Sequence, residues 1–265
     1  MVQQIIDWSS LRILCGWTDE ELYNTQNQFN LLAREGTNLK FILTVLNSNL
    51  MSFYHRRVFL DVSLQRFQKV LIKDAKTFPI RRIEFTTSEK SRASLLAKSK
   101  QLYQSGVSDG NADSVLAFVT EQLVAKPERA DVVHDLLAFL AEQMTALNRE
   151  KRAAAKQFLT GLKDFHDIDA HTLKPKTKLD KFWELEAAEI FAHFRANKLR
   201  LKDSDEEKIR ARFQKAKDTL VPLESSLVFT DDLIDEIVYR LYGLTEAEIK
   251  IVSIRGCNSS MVRVA

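Results

Sequence analysis

The chain of 265 residues has few of the residues that interrupt helices or cross-link loops. Its seven Gly and four Pro favour long helices with short joints, because Gly and Pro are the residues that most weaken a helix interior. Its two cysteines, Cys15 and Cys257, lie near opposite ends, outside any Cys-x-x-Cys pair or histidine cluster. The sequence therefore predicts neither a disulfide framework nor a zinc site, and we expect a reduced, cytoplasmic protein.

Long hydrophobic runs are also missing. No apolar stretch approaches the length that spans a bilayer. Residues 1–17 are partly apolar, but Asp7 interrupts them and no basic region precedes them, as a secretory signal would require. We expect a soluble protein with no membrane partner.

Motifs for catalysis are equally scarce. Glu206-Glu207-Lys208 and Glu248-Ile249-Lys250 have a Glu-x-Lys spacing found in metal-dependent nucleases, but both fall at predicted helix starts and lack an upstream Pro-Asp partner. His166 and His171 are the one close histidine pair, in a predicted polar loop. Solvated surface charge explains these residues better than a metal site, and no Ser or Cys nucleophile arrangement is supported. We predict no catalytic, cofactor-binding or metal-binding residue in this chain.

Positive charge is unevenly distributed. The whole chain carries 39 Lys and Arg against 36 Asp and Glu, whereas residues 34–100 carry fourteen against five. The remainder is therefore net acidic. Such separation concentrates positive potential on one part of the surface, where a polyphosphate such as DNA would bind with release of counterions. A solvated lysine-rich surface is the alternative explanation.

Hydrophobic periodicity predicts a mainly α fold, with a small α+β portion followed by a helical bundle with long helices. Apolar residues at helical spacing predict a helix over 38–54. The pattern also predicts a short strand at 29–33 and a strand or extended edge at 78–85. Residues 105–111 have the composition of a loop. An apolar stripe over 131–165 predicts one helix of more than thirty residues.

The later helices are predicted from caps and breakers. A helix is expected over 178–199, and a capping-box sequence at Ser204 opens another that Pro222 ends. Gly243 is placed to terminate a helix in the left-handed conformation, and the sequence at Thr245 starts a final one. Residues 253–265 lack periodicity, and we expect a disordered tail there.

Several runs together resemble one protein family. Leu46-Asn47-Ser48-Asn49-Leu50-Met51-Ser52-Phe53-Tyr54, residues 67–74 and Phe78-Pro79-Ile80 resemble the target-recognition region of TaqI-like adenine methyltransferases and type IIG restriction-modification enzymes. Further runs resemble the helical C-terminal part of the same enzymes: residues 133–144, 147–151, 176–179 and 233–245. The resemblance runs from Phe29 to Val252 in the family's order, and that order makes chance agreement improbable.

The resemblance implies a DNA-reading role without catalysis. In that family an N-terminal domain binds S-adenosylmethionine and methylates adenine, sometimes behind an endonuclease domain, while the C-terminal region selects the DNA sequence. The methylating motif, of the Asn-Pro-Pro-Tyr type, is absent around Pro79, Pro127, Pro175 and Pro222, and a Gly-rich cofactor loop is absent too. We expect S-adenosylmethionine and Mg²⁺ to be bound by catalytic domains outside this chain.

The hypothesis is thus a DNA-binding specificity fragment or subunit of a restriction-modification system. Its predicted parts are an unassigned segment at 1–28, a target-recognition portion at 29–105, a helical portion at 106–252 and the tail at 253–265. Its expected partners are double-stranded DNA and a methyltransferase or endonuclease chain. Two alternatives stay open: a piece of a type IIG enzyme acting with a partner chain, and a helical interaction scaffold with no DNA role.

Basic side chains are the candidates for contact with DNA. They can neutralise phosphates, and an Arg fork can read the two major-groove acceptors of guanine. Asn47 and Ser48 are more often caps or backbone bridges at such a position, and Phe53 and Tyr54 more often core residues. The candidates are Arg56, Arg57, Lys69, Lys73, Lys76, Arg81 and Arg82.

Overall fold

The computed structural model describes residues 1–6, 11–21, 23–60 and 69–257. These residues form a mainly α protein with one two-stranded sheet, which confirms the predicted fold class. No described helix combines the length and apolar character needed to cross a membrane. The elements in chain order are β1 (Val2–Gln3), β2 (Gln28–Phe29), α1 (Leu39–Asn47), α2 (Asn49–Phe59), α3 (Ile72–Ala75), α4 (Glu89–Asp109), α5 (Asp113–Val124), α6 (Ala130–His166), α7 (Ala187–Ala196), α8 (Asp203–Leu241) and α9 (Glu246–Cys257).

The small sheet lies at the N-terminal end of the chain. β1 and β2 are antiparallel, with Val2 opposite Phe29, and both side chains are buried. A further bridge joins Val2 to Cys15. The strand predicted at 29–33 is therefore shorter and begins one residue earlier.

Of the two forms predicted at 78–85, a strand or an extended edge, the strand is wrong. Residues 79–86, all of which are described, contain no strand. The Tyr242 side chain replaces a neighbouring strand here: its hydroxyl donates to the Pro79 carbonyl at 2.9 Å and accepts from the Arg81 N–H at 3.0 Å. Apolar alternation could not indicate this partner, because Tyr242 lies far along the chain.

The helix predicted over 38–54 is two helices. Asn38 caps α1 by accepting from the N–H groups of Lys40 and Phe41. Ser48 is extended, with φ −67° and ψ 153°, and its hydroxyl accepts from the Met51 N–H to cap α2. The hydroxyl thereby supplies a start signal in the middle of an apolar run.

The loop predicted at 105–111 is largely helical. α4 continues to Asp109, and Gly110 ends it in the left-handed conformation with φ +66°. Gly106 lies inside α4. A Cβ at this position would come within 2.7 Å of the Asn111 carbonyl and 3.1 Å of the Phe229 ring, so only glycine fits without a shift of its neighbours. This glycine serves close packing, so its presence did not indicate a turn.

The two long helices have different outcomes. α6 confirms the single helix predicted over 131–165, and its buried positions include Leu136, Leu137 and Leu140. α8 runs through Pro222, so the predicted break there is wrong. Leu220 and Leu227 are buried on either side of the proline, and their packing outweighs a helix distortion that costs about 3 kcal/mol.

The chain divides into two compact units. Unit 1 comprises Met1–Gln143 with Phe229–Ala265, and unit 2 comprises Met144–Val228. The helix predicted over 178–199 is replaced in unit 2 by two 3₁₀ turns, Lys176–Leu179 and Phe182–Glu184, followed by α7. In unit 1, α9 extends to Cys257, and the rest of the predicted tail, 258–265, lies outside the described residues.

Candidate nucleic-acid interface

A cluster of aromatic rings brings the candidate basic residues of unit 1 together. The Phe78 ring contacts three rings of α2, with centroid distances of 6.3 Å to Tyr54, 5.8 Å to His55 and 6.1 Å to Phe59. These contacts hold the last two turns of α2 against the chain that follows α3. The arginines of α2 and the cations flanking Phe78 therefore belong to one region, which we call the recognition segment: residues 49–60 and 69–82.

Arg56 and Arg57 occupy the last turn of α2, where a positive charge is favourable at the C-terminal end of the helix dipole. Arg57 is exposed, and its guanidinium lies 5.6 Å from the centre of the Phe53 ring. Arg56 is half-buried and takes part in contacts within the chain. Of the two, Arg57 offers its guanidinium to the solvent.

Lys73, Lys76 and Arg82 are exposed. Lys73 lies in α3 and Lys76 caps its C-terminal end. No acid of the described ranges forms an ion pair with any of these three, nor with Arg57. Lys69 is half-buried, and its backbone bridges to Ile5. Lys73, Lys76, Arg82 and Arg57 are thus available to an external anion.

Arg81 is half-buried and is bonded within the protein. Its Nη2 donates to both carboxylate oxygens of Glu128 at 2.8 Å, and its Nη1 donates to the Leu241 carbonyl. These bonds fasten the recognition segment to the start of α6 and the end of α8. Its charge is compensated by Glu128, unlike that of its neighbour Arg82.

Asn47 and Ser48 have the structural roles that the sequence favoured. The Asn47 amide accepts from the Cys15 N–H at 2.8 Å and donates to the Cys15 carbonyl at 3.1 Å, as a neighbouring strand would. Ser48 is fully buried and caps α2. Both side chains are used within the fold, so neither is presented to a ligand.

A polar network that sequence reasoning missed supports the joint between α1 and α2. Arg12 donates to the Asn47 carbonyl at 2.6 Å and pairs with Asp231. Asn49 donates to Asp235 twice, from its backbone N–H at 2.7 Å and from its side-chain amide at 2.6 Å. The signal available in the sequence was the pair of acids one helical turn apart in α8.

The electrostatics of this network are dominated by burial. Asp235 has 5% of its surface exposed, and burial raises the pKa of its carboxyl to about 7, against the opposing effect of Arg12. Burial also lowers the pKa of His55, whose imidazole is fully enclosed. His55 is therefore held neutral among the rings at ordinary pH and serves packing.

A cleft of about 210 Å³, lined by apolar and polar residues, lies beside α1 in unit 1. Its lining includes Leu32, Leu39 and Ile42, and Trp17 stands at its edge with the Lys40 ammonium 5.7 Å from the ring centre. Lys40 also pairs with Glu142 at 2.5 Å. None of the described residues that line the cleft is Lys or Arg, so it lacks the exposed cations of the recognition segment.

No group of three or more His, Cys, Asp or Glu side chains is gathered as a metal site in the part of the chain that the structure describes. The seven predicted candidates thus divide by geometry. Four exposed cations lie on one segment, Arg81 is tied inward, and Arg56 and Lys69 are half-buried.

Two family models match the chain. Residues 9–80 match the TaqI-like C-terminal specificity domain, and residues 132–238 match a domain of unknown function (DUF8810). Residues 9–80 are therefore similar to a TaqI-like C-terminal specificity domain, as the resemblance indicated, and the match starts well before Phe29. The search of curated proteins and the search of solved structures returned no match.

Proposed function

We propose that this chain is the DNA-binding specificity part of a restriction-modification system. As a fragment or a subunit of such a system, it directs adenine methylation or cleavage by a catalytic domain that lies outside these 265 residues. The observation that carries the proposal is the match of residues 9–80 to a TaqI-like specificity domain, in a segment whose exposed cations have no acidic partner among the described residues.

The exposed cations are suited to two kinds of contact. Lys73, in α3, and Lys76, at its C-cap, are compact point charges, which suits phosphate oxygens. Arg57 and Arg82 carry planar forks that can bond two acceptors at once, as guanine presents them in the major groove. We assign backbone anchoring to the lysines and base reading to the arginines.

The proposed partner is a methyltransferase or endonuclease chain in the same cytoplasm. That chain would bind S-adenosylmethionine and Mg²⁺, since the sequence here lacks the motifs for both. Mixing the two purified chains and assaying methyl transfer to duplex DNA tests this. Activity that appears only in the mixture supports the proposal, whereas activity of this chain alone would contradict it.

Salt-dependent binding tests the DNA role itself. Each phosphate that a lysine neutralises adds about 0.9 to the slope of log K against log salt concentration. The double variant Lys73→Ala/Lys76→Ala should therefore lower the magnitude of that slope by about 2. Fluorescence anisotropy with a labelled duplex, at salt concentrations from about 50 to about 200 mM, measures it.

The matched control removes two other exposed lysines of unit 1. Lys90→Ala/Lys250→Ala changes the net charge equally but lies outside the recognition segment. Its slope should equal that of the unmodified chain. Equal losses in both double variants would show that only overall charge matters, and undetectable binding of the unmodified chain at low salt would favour the helical scaffold instead.

A further inference from the structure

Unit 2 carries its own positive charge. Residues 144–228 hold eighteen Lys and Arg against fourteen Asp and Glu, and residues 190–202 hold four against none. The acid excess outside 34–100 lies elsewhere, in 1–33, 101–143 and 229–265. The net acidic character of the chain outside 34–100 therefore does not extend to this unit.

Asn197 joins two basic segments of unit 2, the loop that begins at Lys174 and the connection that follows α7. The Asn197 amide accepts from the Lys174 N–H at 2.8 Å and donates to the Lys174 carbonyl at 3.0 Å. Lys178, from the same loop, reaches Glu189 of α7 at 3.7 Å. The loop at 174–178 is thereby held along α7 and against the connection that follows it.

The resulting surface, which we call the hairpin patch, has six exposed cations: Lys174, Lys176, Arg195, Lys198, Arg200 and Lys202. Within the described ranges, none of the six has an acid within ion-pair distance. Other lysines of the unit are paired, Lys163 with Asp169 at 3.3 Å and Lys181 with Glu184 at 3.1 Å. The acids that follow the patch occupy the first turn of α8, where they complement the helix dipole.

Lys198 occupies a backbone position that normally belongs to glycine. Lys198 follows α7 with φ +63°. The Leu199 N–H then donates to the Phe194 carbonyl at 3.1 Å, which satisfies an acceptor at the end of the helix. A Cβ is strained in this conformation, so glycine would fit better. A strained lysine in the centre of an unpaired cationic surface points to a use for its side chain.

We propose that the hairpin patch binds the phosphate backbone of duplex DNA. The proposal rests on the DNA role proposed above and assigns to unit 2 contacts that carry no sequence information. Four of its six cations are lysines, which suit phosphates as point charges rather than the paired acceptors of a base. The patch adds affinity on any duplex, and the recognition segment supplies the choice of sequence.

Two variants test the patch by the salt dependence of duplex binding. Arg200→Gln/Lys202→Gln should lower the slope of log K against log salt by about 2, and Lys198→Gly by about 1. Each variant should lose the same factor in affinity on every duplex sequence. The control Lys163→Gln/Lys181→Gln removes two lysines of unit 2 that already have acidic partners, and its slope should not change.

Lys198→Gly separates binding from folding. Because glycine relieves the strained backbone, its thermal midpoint should equal or exceed that of the unmodified chain while its duplex affinity falls. If the unmodified chain binds duplex DNA but the patch variants keep its slope, the patch proposal is overturned and the function proposal stands. If the unmodified chain binds no duplex at low salt, the function proposal itself fails. Equal losses in the control and the patch variants would also overturn the patch.

Discussion

The recognition segment and the hairpin patch are both basic, but their cations are used differently. In the recognition segment, Arg81 is hydrogen-bonded to Glu128 and Leu241, and the Arg57 guanidinium packs over the Phe53 ring. In the hairpin patch the basic side chains are exposed and unpaired by any described acid. A count of Lys and Arg along the sequence therefore overestimates the positive charge that the recognition segment offers to a partner. The same count overlooks the positive charge of the hairpin patch.

The cores of the two units differ as well. Unit 2 is built around packed aromatic rings. The ring centres of Phe158 and Phe182 are 4.2 Å apart and tilted, and Trp183 meets Phe182 edge to face at 5.4 Å. Unit 1 adds a partly buried polar network around Arg12 and Asp235. A ring core tolerates a change of charge or pH, whereas a buried polar network depends on each of its partners.

The largest expected effect tests that network. Arg12→Ala leaves Asp231 and Asp235 without their cation, and we expect the free energy of unfolding to fall by about 3 kcal/mol. Urea denaturation measures it. The double variant Arg12→Ala/Asp235→Asn should recover part of the loss, because it removes the buried carboxylate too. A loss below about 0.5 kcal/mol would mean that the network contributes no more than an ordinary surface pair.

The next effect depends on pH. Asp235 has a pKa raised by burial to about 7, so the folded chain holds its proton more tightly than the unfolded chain. Its contribution to stability is complete below the unfolded pKa of about 4 and is lost as pH rises through about 7. As the pH rises from 4 to 8, Asp235→Asn should therefore gain stability relative to the unmodified chain, by about 1.4 kcal/mol for each unit of the pKa shift. Denaturation at each pH measures this difference.

Other titrating groups do not confuse this measurement, because their effects cancel in the difference between the two proteins. The charged groups around Asp235 are Arg12, Asp231 and Asp232, and Tyr239 lies beside them. The Asn49 amide can turn to bond the new side chain. A difference that does not change with pH would show that Asp235 stays ionised in the folded state.

A smaller effect separates two neighbouring arginines. Arg81→Ala removes the bonds to Glu128 and Leu241 and should cost about 1.5 kcal/mol of stability. Arg82→Ala should cost less than about 0.5 kcal/mol, because Arg82 is exposed and unpaired by the described acids. In duplex binding the order should reverse, with the larger loss for Arg82→Ala. The same order in both assays would contradict the division of roles.

The smallest stability effect is a gain. Lys198→Gly should raise the free energy of unfolding by about 0.5 to 1 kcal/mol, because only the lysine has a Cβ to strain in the left-handed conformation. Thermal unfolding measures this as a rise in the midpoint. A matched change at an ordinary exposed helical position, Lys208→Gly in α8, should lower the midpoint instead. A fall for both variants would remove the argument from strain.

Much of the helical architecture was predictable because it depends on local pattern. The apolar stripe of α6 predicted its length, Gly243 ends α8 with φ +69°, and Thr245 and Glu248 form the expected reciprocal cap. The structural roles of Asn47 and Ser48 were also correctly weighed. The failures occurred where a distant residue decided the outcome, as Tyr242 does for residues 79–81 and buried leucines do around Pro222.

The sequence by itself determined that this protein is mainly helical, that its N-terminal part is similar to a TaqI-like specificity domain, and where its charges fall along the chain. Periodicity, caps and residue order are local, so they can be read without coordinates. Only the tertiary structure decided which cations have partners, because an ion pair such as Arg81 with Glu128 joins residues far apart in the chain. It also joined Lys174 to Asn197 and so assembled the hairpin patch, since side-chain hydrogen bonds between loops follow from packing rather than from spacing.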